Sequence, residues 1–550
     1  MKRIKSIIIV VFLSLFIGSC DYLEYSEASY LQKEDIFSDW NRTQSFLSDI
    51  YASVPLGFTP IGGAMQASAT DDAEFVFDYS SVQKFHDGSW SSIQTIDEQW
   101  GQMYSAIRAV NLFLEETKGR TFDEYKYTDT YADEMAQFNN YPHEARFLRA
   151  FFYLQLIERY GDVPLITTVL TEEEANAVSP ASYDEVVRFI VLECDAVTAL
   201  LPASYAAFTS AKETGRATKG AAMALKARTL LYAASPLHNQ TGNTQKWIDA
   251  AKASKDIINT TTYSLEANYN AFLNNIASKE LIFERREGNQ NYFEKANFPI
   301  GFEGGNTGNC PTQNLVDAYE MKANGLGINE PNSGYNSLDP YAGRDPRLAL
   351  TILYNTSPFK SKPLECWTGG ANATPKANAS KTGYYLKKYL IESVSLSPSS
   401  ISTRQHTWVV FRYGEVLLNY AEAMNEAYGP ENASDLGMSA LQAVNLIRTR
   451  AKMPAFPAGL SKDQFRLKLQ NERRIEMAFE EQRFWDIRRW KIGNTTQDIY
   501  GMEITKNGDG TFKYTKKLIE RRIFEDKMNL YPIPQSELFK NNKLKQNTGW

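Results

Sequence analysis

The chain has 550 residues, with 59 Lys+Arg against 65 Asp+Glu and a net charge of −6, so nothing polybasic marks it for nucleic acid. Hydrophobic residues make up 43 % and charged residues 23 %, which excludes disordered and collagen-like classes. Aromatics reach 13 %, a surplus that points to recognition at the surface as well as to core packing.

Met1-Lys2-Arg3-Ile4-Lys5 is a basic leader, and Ile7 to Ile17 is apolar apart from Ser14. As a helix this run measures ~16 Å, too short for a ~30 Å hydrocarbon core, and it reads as the apolar segment of a secretory signal. Gly18-Ser19-Cys20 resembles the lipobox of bacterial lipoproteins. Residues 1–19 are therefore expected to be removed and Cys20 to carry acyl chains such as palmitate, a firm membrane tether. Of the other cysteines, Cys194 lies in an apolar helical run and is expected as a buried free thiol. Cys310 and Cys366 are the two that an oxidising envelope would allow to pair.

Helical periodicity dominates the chain beyond the leader. It predicts helices over Trp100 to Leu114, Glu144 to Tyr160, Tyr183 to Leu201, Thr218 to Ala234 and Trp247 to Asn259. The second is apolar on nearly every side and so expected between other helices, with Gly161 as its C-cap. Val416, Leu417, Tyr420, Ala421 and Met424 carry the same period onward from Tyr413, and Leu436 to Ala451 comes next as a partner helix. Ser461-Lys462-Asp463-Gln464 is a capping box opening a charged helix that is expected to run to about Trp490. The pairs joined by short turns resemble tetratricopeptide units without a strict 34-residue period.

Two stretches break the pattern: 55–99, rich in Gly, Ser and Asp with scattered aromatics, and 280–404, rich in Gly, Pro and Asn. The second is too long for a structureless loop and must carry short strands or helices of its own. Ile504 to Phe512, with Asn507-Gly508 and Asp509-Gly510, reads as a β-hairpin. It departs from a calcium loop in lacking the leading Asp and the terminal Glu.

No phosphate-binding glycine loop, dinucleotide fingerprint or His-Glu-x-x-His motif is present. His86, His143, His238 and His406 have no ligand spacing, so no metal and no cofactor is expected. Asp71-Asp72-x-Glu74 is the most suggestive carboxylate cluster. It would serve sugar hydroxyls as acceptors, glycoside hydrolysis as an acid–base pair, or no ligand at all as a solvated loop. The run from Glu472 to Arg489, dense in both charges beside Phe479, Phe484 and Trp485, reads as a packed structural helix whose arginines bond to carboxylates and carbonyls.

Five phrases carry a family resemblance in order: EARFLRAFFYLQLIERYGDVPLI (Glu144–Ile166), GRATKGAAMALKARTLLYAASPL (Gly215–Leu237), VVFRYGEVLLNYAEAMNE (Val409–Glu426), NERRIEMAFEEQRFWDIRRW (Asn471–Trp490) and NLYPIPQSELFKNNKLKQNTGW (Asn529–Trp550). Behind a lipoprotein signal, together they resemble the SusD/RagB family of Bacteroidota. The resemblance implies a mostly α fold, with four tetratricopeptide-like helix pairs as scaffold plus a loop-rich insertion with short strands, forming a single domain over 20–550. It implies a surface-exposed, lipid-anchored outer-membrane protein without catalytic activity. Such a protein caps a SusC-like TonB-dependent transporter and binds an oligomeric nutrient, usually a glycan.

The matched phrases mark scaffold, so the ligand site is argued from chemistry. Aromatic rings stack on the C–H faces of sugars while Asp, Asn, Arg and Gln take the hydroxyl rim, and loops on a rigid scaffold are the place to look. The first loop offers Asp71, Asp72, Phe75, Phe77, Tyr79, Phe85 and Trp90; the second offers Asn291, Tyr292, Phe293, Tyr335, Tyr341 and Trp367. Asp71, Asp72, Phe75, Phe85, Trp90, Tyr292, Tyr335 and Trp367 are the predicted ligand-binding set. Capture of a peptide or other nutrient on the same scaffold is the alternative, and a lipid-anchored glycoside hydrolase a more distant one.

Overall fold

The computed structural model describes residues 32–205 and 215–550; the leader and Cys20 lie outside the described residues. Among the described residues no helix is long and apolar enough to cross a membrane. The principal helices are α1 (Trp40–Ala52), α2 (Gln83–Asp87), α3 (Trp100–Glu116), α4 (Tyr141–Tyr160), α5 (Tyr183–Thr198), α6 (Lys219–Ala234), α7 (Thr244–Asn259), α8 (Tyr413–Tyr428), α9 (Ala440–Arg450), α10 (Lys462–Glu476) and α11 (Gln482–Arg489). Each helix from α3 to α9 packs on the next in chain order, the stacking that helix-pair repeats require.

The starts are set by local chemistry. Ser182, Ser439 and Ser461 each close a capping box, with Glu185, Gln442 and Gln464 respectively. Helix α4 is buried almost all round, as its sequence requires. Helix α6 relies on small residues for close approach: a Cβ at Gly220 would overlap the Tyr263 hydroxyl oxygen.

The strands pair across long stretches of chain. β1 (Ala73–Phe75) runs antiparallel to β3 (Asn309–Pro311), with Glu74 opposite Cys310. β2 (Leu281–Gln290) pairs with β4 (Arg404–Arg412), which closes the 280–404 insertion at its base. That insertion builds an apolar core of its own around Phe293, Phe298, Tyr319, Ile352 and Tyr385, and joins it to Phe58, Phe479 and Met502. The predicted hairpin forms as β5 (Asp498–Lys506) and β6 (Phe512–Arg521). Cys194, Cys310 and Cys366 are all buried free thiols, so the pairing considered for the last two is not made.

One predicted helix is divided. The chain leaves α10 after Glu476 and re-enters helix only at Gln482, with Phe479 at φ 60° and Glu481 at φ 63°. No Gly or Pro announces the break. The carbonyls needed to continue the helix are taken by buried side chains: Tyr269 and Arg412 donate to the Glu476 carbonyl at 2.8 Å, and Lys388 to that of Ala478 at 2.9 Å.

Those donors belong to a buried ion network, the structural role expected of this charged run. Glu472 accepts from Arg347 at 2.6 Å and Arg448 at 2.7 Å. Glu476 is fully buried and meets Arg347 at 2.9 Å, Arg412 at 2.8 Å and Arg450. Glu480 pairs with Arg412 at 2.7 Å and Lys388 at 2.6 Å.

Glu481 is the exception, because its Oε1 meets no protein donor. Burial, then the negative charge of Asp97, pushes its carboxyl up to about 8. A folded-state value above the usual carboxylate range means that stability is lost as pH rises from about 4.5 to about 8. Glu481→Gln should therefore match the wild type near pH 4 and exceed it by roughly 3 kcal/mol at pH 7. Urea midpoints measured across that range check this, and parallel curves for the two proteins would refute it.

Candidate functional site

The structure takes five of the eight predicted ligand residues into the core. Asp71 receives both Arg483 nitrogens, at 2.9 and 3.0 Å, and Arg474 at 2.9 Å; Asp72 receives Arg474 at 2.6 Å. Burial works against ionisation of Asp71, but the two guanidiniums prevail and hold it at about 2. Phe75 is buried on β1 against Phe77. Phe85 and Trp90 lie 5.0 Å apart in an aromatic cluster with Phe484, Tyr531 and Trp550. A loop composition of Gly, Ser and Asp reads as exposed, yet the groups that cover this loop come from residues some 400 positions later. Local pattern carries no trace of them.

The other three keep accessible surface. Tyr292 stands at the outer end of β2, 36 % exposed, near Arg285 and Glu287. Tyr335 is half-buried, with the Arg344 guanidinium 5.5 Å from its ring centre. Trp367 is half-buried and begins a continuous ribbon of rings.

From Trp367 the ribbon passes to Phe512 at 5.2 Å, to Tyr514 at 6.3 Å and to Tyr341 at 5.7 Å. It ends at Tyr354, stacked on Tyr341 at 4.2 Å. All five rings are partly exposed. Phe512 and Tyr514 share a face because they alternate along β6. Trp367 is held by the turn just after it: the Gly370 N–H donates to the Trp367 carbonyl at 2.7 Å, and a Cβ at Gly370 would lie 2.5 Å from the Glu365 carbonyl oxygen. Arg344 locks the segment bearing Tyr335 and Tyr341 by donating to the carbonyls of Val316, Tyr319 and Pro340. Arg347, three residues on, anchors the same segment in the ion network.

Polar groups edge the ribbon. Lys506 Nζ lies 4.6 Å from the Trp367 ring centre, and from beneath the ribbon the buried Asn355 donates to the Tyr514 hydroxyl at 3.3 Å. Beside Trp367 opens a polar groove of about 130 Å³, lined by Thr368, Thr374, Ser380, Lys381, Glu503 and Lys517. Lys381 pairs with Asp78, next to Tyr79, which is 84 % exposed and stacked on Phe77. A larger cavity of about 370 Å³ lies elsewhere, between α1 and β2. Its arginines are occupied, Arg286 by Glu284 at 2.6 Å and Arg285 by Glu287 at 3.6 Å. The ribbon therefore offers a longer run of accessible rings beside a polar groove than that cavity does.

One predicted residue, Trp367, lies in this ribbon, Tyr341 from the wider loop set lies at its centre, and Tyr335 sits apart against Arg344. Tyr354, Phe512 and Tyr514 were missed. The alternation of Phe512 and Tyr514 beside a turn was the available signal.

A model of the SusD family matches residues 279–550, and another described as "Starch-binding associating with outer membrane" matches residues 21–231. SusD-like protein P2 of Formosa agariphila is 24 % identical, covering 100 % of this chain and 99 % of its own. SusD-like protein P25 of the same organism is also 24 % identical, over 89 % of this chain and 90 % of its own. Among solved structures, a SusD-like protein of Bacteroides fragilis is 27 % identical, covers 94 % of this chain and 98 % of its own, and superposes with a TM-score of 0.78. A second from that organism, described as a SusD-like carbohydrate binding protein, is 24 % identical over 93 % of this chain and 100 % of its own, with a TM-score of 0.75. With the stacked helices, the paired strands and matches that span both halves, the chain belongs to the SusD family.

Proposed function

We propose that this protein is a non-catalytic glycan-capture subunit at the cell surface. Cys20 anchors it by its acyl chains to the outer membrane. The ribbon from Trp367 to Tyr354 holds an oligosaccharide, and the body caps a SusC-like TonB-dependent transporter that receives the ligand. The observation that carries the reading is the ribbon itself. Five contacting, partly exposed rings offer apolar surface to the C–H faces of sugars, and Lys506 and the adjoining groove supply donors and acceptors for hydroxyls. The description of a B. fragilis relative as a carbohydrate binding protein supports the same class of ligand.

Retention of the purified protein by immobilised polysaccharides, against a parallel panel of peptides, tests this reading. Trp367→Ala is expected to weaken binding of the retained glycan by about 30-fold, the loss of a central aromatic anchor worth ~2 kcal/mol, with no sugar released by either protein. Retention by peptides alone would overturn the glycan assignment. An unaltered affinity in both Trp367→Ala and Tyr514→Ala would move the site off the ribbon.

A further inference from the structure

Glu74 on β1, His86 on α2 and Glu520 on β6 come from three separate parts of the chain and meet at one point. One ligand atom from each lies within 4.8 Å of the other two. His86 is 2 % exposed. Its Nε2 lies 2.7 Å from the Ser68 carbonyl oxygen, an acceptor, so Nε2 carries a proton, and in the tautomer that ligates a metal Nδ1 presents the lone pair. That Nδ1 makes no hydrogen bond. It faces Glu520 Oε1 at 3.2 Å and Glu74 Oε2 at 3.7 Å. Nδ1 and the two carboxylates thus turn toward one another inside the protein, with Arg522 on the outer side of both carboxylates, and a cation among them would be stabilised by all three groups.

We propose that Glu74, His86 and Glu520 form a binding site for a zinc-class divalent cation. A tetrahedral ion with ligands at about 2.0–2.1 Å sets its donors about 3.3 Å apart, and the observed 3.2 and 3.7 Å separations bracket that spacing. The mixed nitrogen and oxygen donor set suits zinc rather than calcium, which takes six or more oxygens. The Ser68 carbonyl on the far ring nitrogen is the outer-shell contact by which metal-binding histidines are oriented. Arg522 contacts both carboxylates, Glu520 Oε2 at 3.1 Å and Glu74 Oε2, and Lys381 lies 3.7 Å from Glu74 Oε1. These cations fix the carboxylates, while Glu520 Oε1 and Nδ1 stay directed at the centre. Glu520, with 27 % of its side chain exposed, provides the way in. The ion would tie β6, and with it Phe512 and Tyr514, to β1 and α2. Histidine spacing carried no sign of this, because one carboxylate lies 12 residues before His86 and the other far beyond it.

Full-length protein stripped with chelator and titrated with Co²⁺ provides the test. One equivalent should bind with the visible ligand-field absorption of a tetrahedral ion and be displaced by Zn²⁺, and Zn²⁺ should raise the Tm. Glu520→Gln, at a partly exposed position, should weaken Co²⁺ binding by about 100-fold or more. His86→Ala should abolish it. Absence of the cobalt spectrum overturns the proposal, and so does a spectrum that persists unchanged in Glu520→Gln. Should His86→Ala fail to fold, Glu520→Gln decides.

Discussion

Glu476→Gln is expected to lower the free energy of unfolding by about 4 kcal/mol or more. The wild-type carboxylate is fully buried and collects three guanidiniums, Arg347, Arg412 and Arg450. The positive neighbours overcome burial and keep it well below the usual carboxylate range. The amide keeps the shape but removes the charge, and its NH₂ group points donors at donors. Arg347 retains Asp345 and Glu472, and Arg412 retains Glu280 and Glu480, which limits the loss. A partly exposed pair supplies the contrast: Asp317→Asn, which weakens a link to the half-exposed Lys516 and keeps an amide oxygen for Gln313, should cost less than ~1 kcal/mol. Equilibrium denaturation of the two variants against wild type measures both, and similar small losses would show that the network does not hold this core.

Trp90→Ala should cost about 4 kcal/mol in stability while leaving the glycan affinity of the folded fraction unchanged. Its ring is 3 % exposed and touches Phe85 at 5.0 Å, Tyr531 at 5.1 Å and Trp550 at 4.5 Å. Truncation would open a cavity among three rings fixed by their own neighbours, so little collapse can fill it. Trp367→Ala should do the reverse, with a small change in stability and a large one in affinity. Thermal melts and glycan titrations on both variants separate the roles. A Trp90→Ala protein that melts like wild type yet loses ligand would return this ring to the binding surface.

The scaffold helices were legible because their signals are local: a 3.6-residue apolar period, a Ser capping box, a Gly after Tyr160. The break between α10 and α11 was not, because Tyr269, Arg412 and Lys388 impose it from distant parts of the chain. The same division holds at the site. Composition located aromatics in loops, but whether a ring is covered depends on what folds back over it. Trp90 is covered by Tyr531 and Trp550, whereas Trp367, with Phe512 and Lys506 beside it, keeps part of its surface accessible. The buried side of the charged run was legible for a physical reason: so many arginines beside Phe479, Phe484 and Trp485 had to find partners indoors.

The pairing of Asp71 and Asp72 with Arg474 and Arg483 also sets a timetable. Asp72 and Arg474 are 402 residues apart. A chain that emerges N-terminus first presents the aspartate 402 residues before the arginine arrives. Throughout that interval the first loop holds carboxylates that cannot be buried without their counter-charges, so it stays open while α3 to α7 are free to stack. Tyr531 closes the same region late, its N–H donating to the Arg159 carbonyl at 2.6 Å. A nascent or truncated chain that stops before Asn471 therefore has a helical array with an unfinished wall, a natural substrate for holdase chaperones and proteases. Supplying the missing segment as a separate polypeptide should let the two pieces assemble, because what the wall awaits is charge and shape rather than continuity of the backbone.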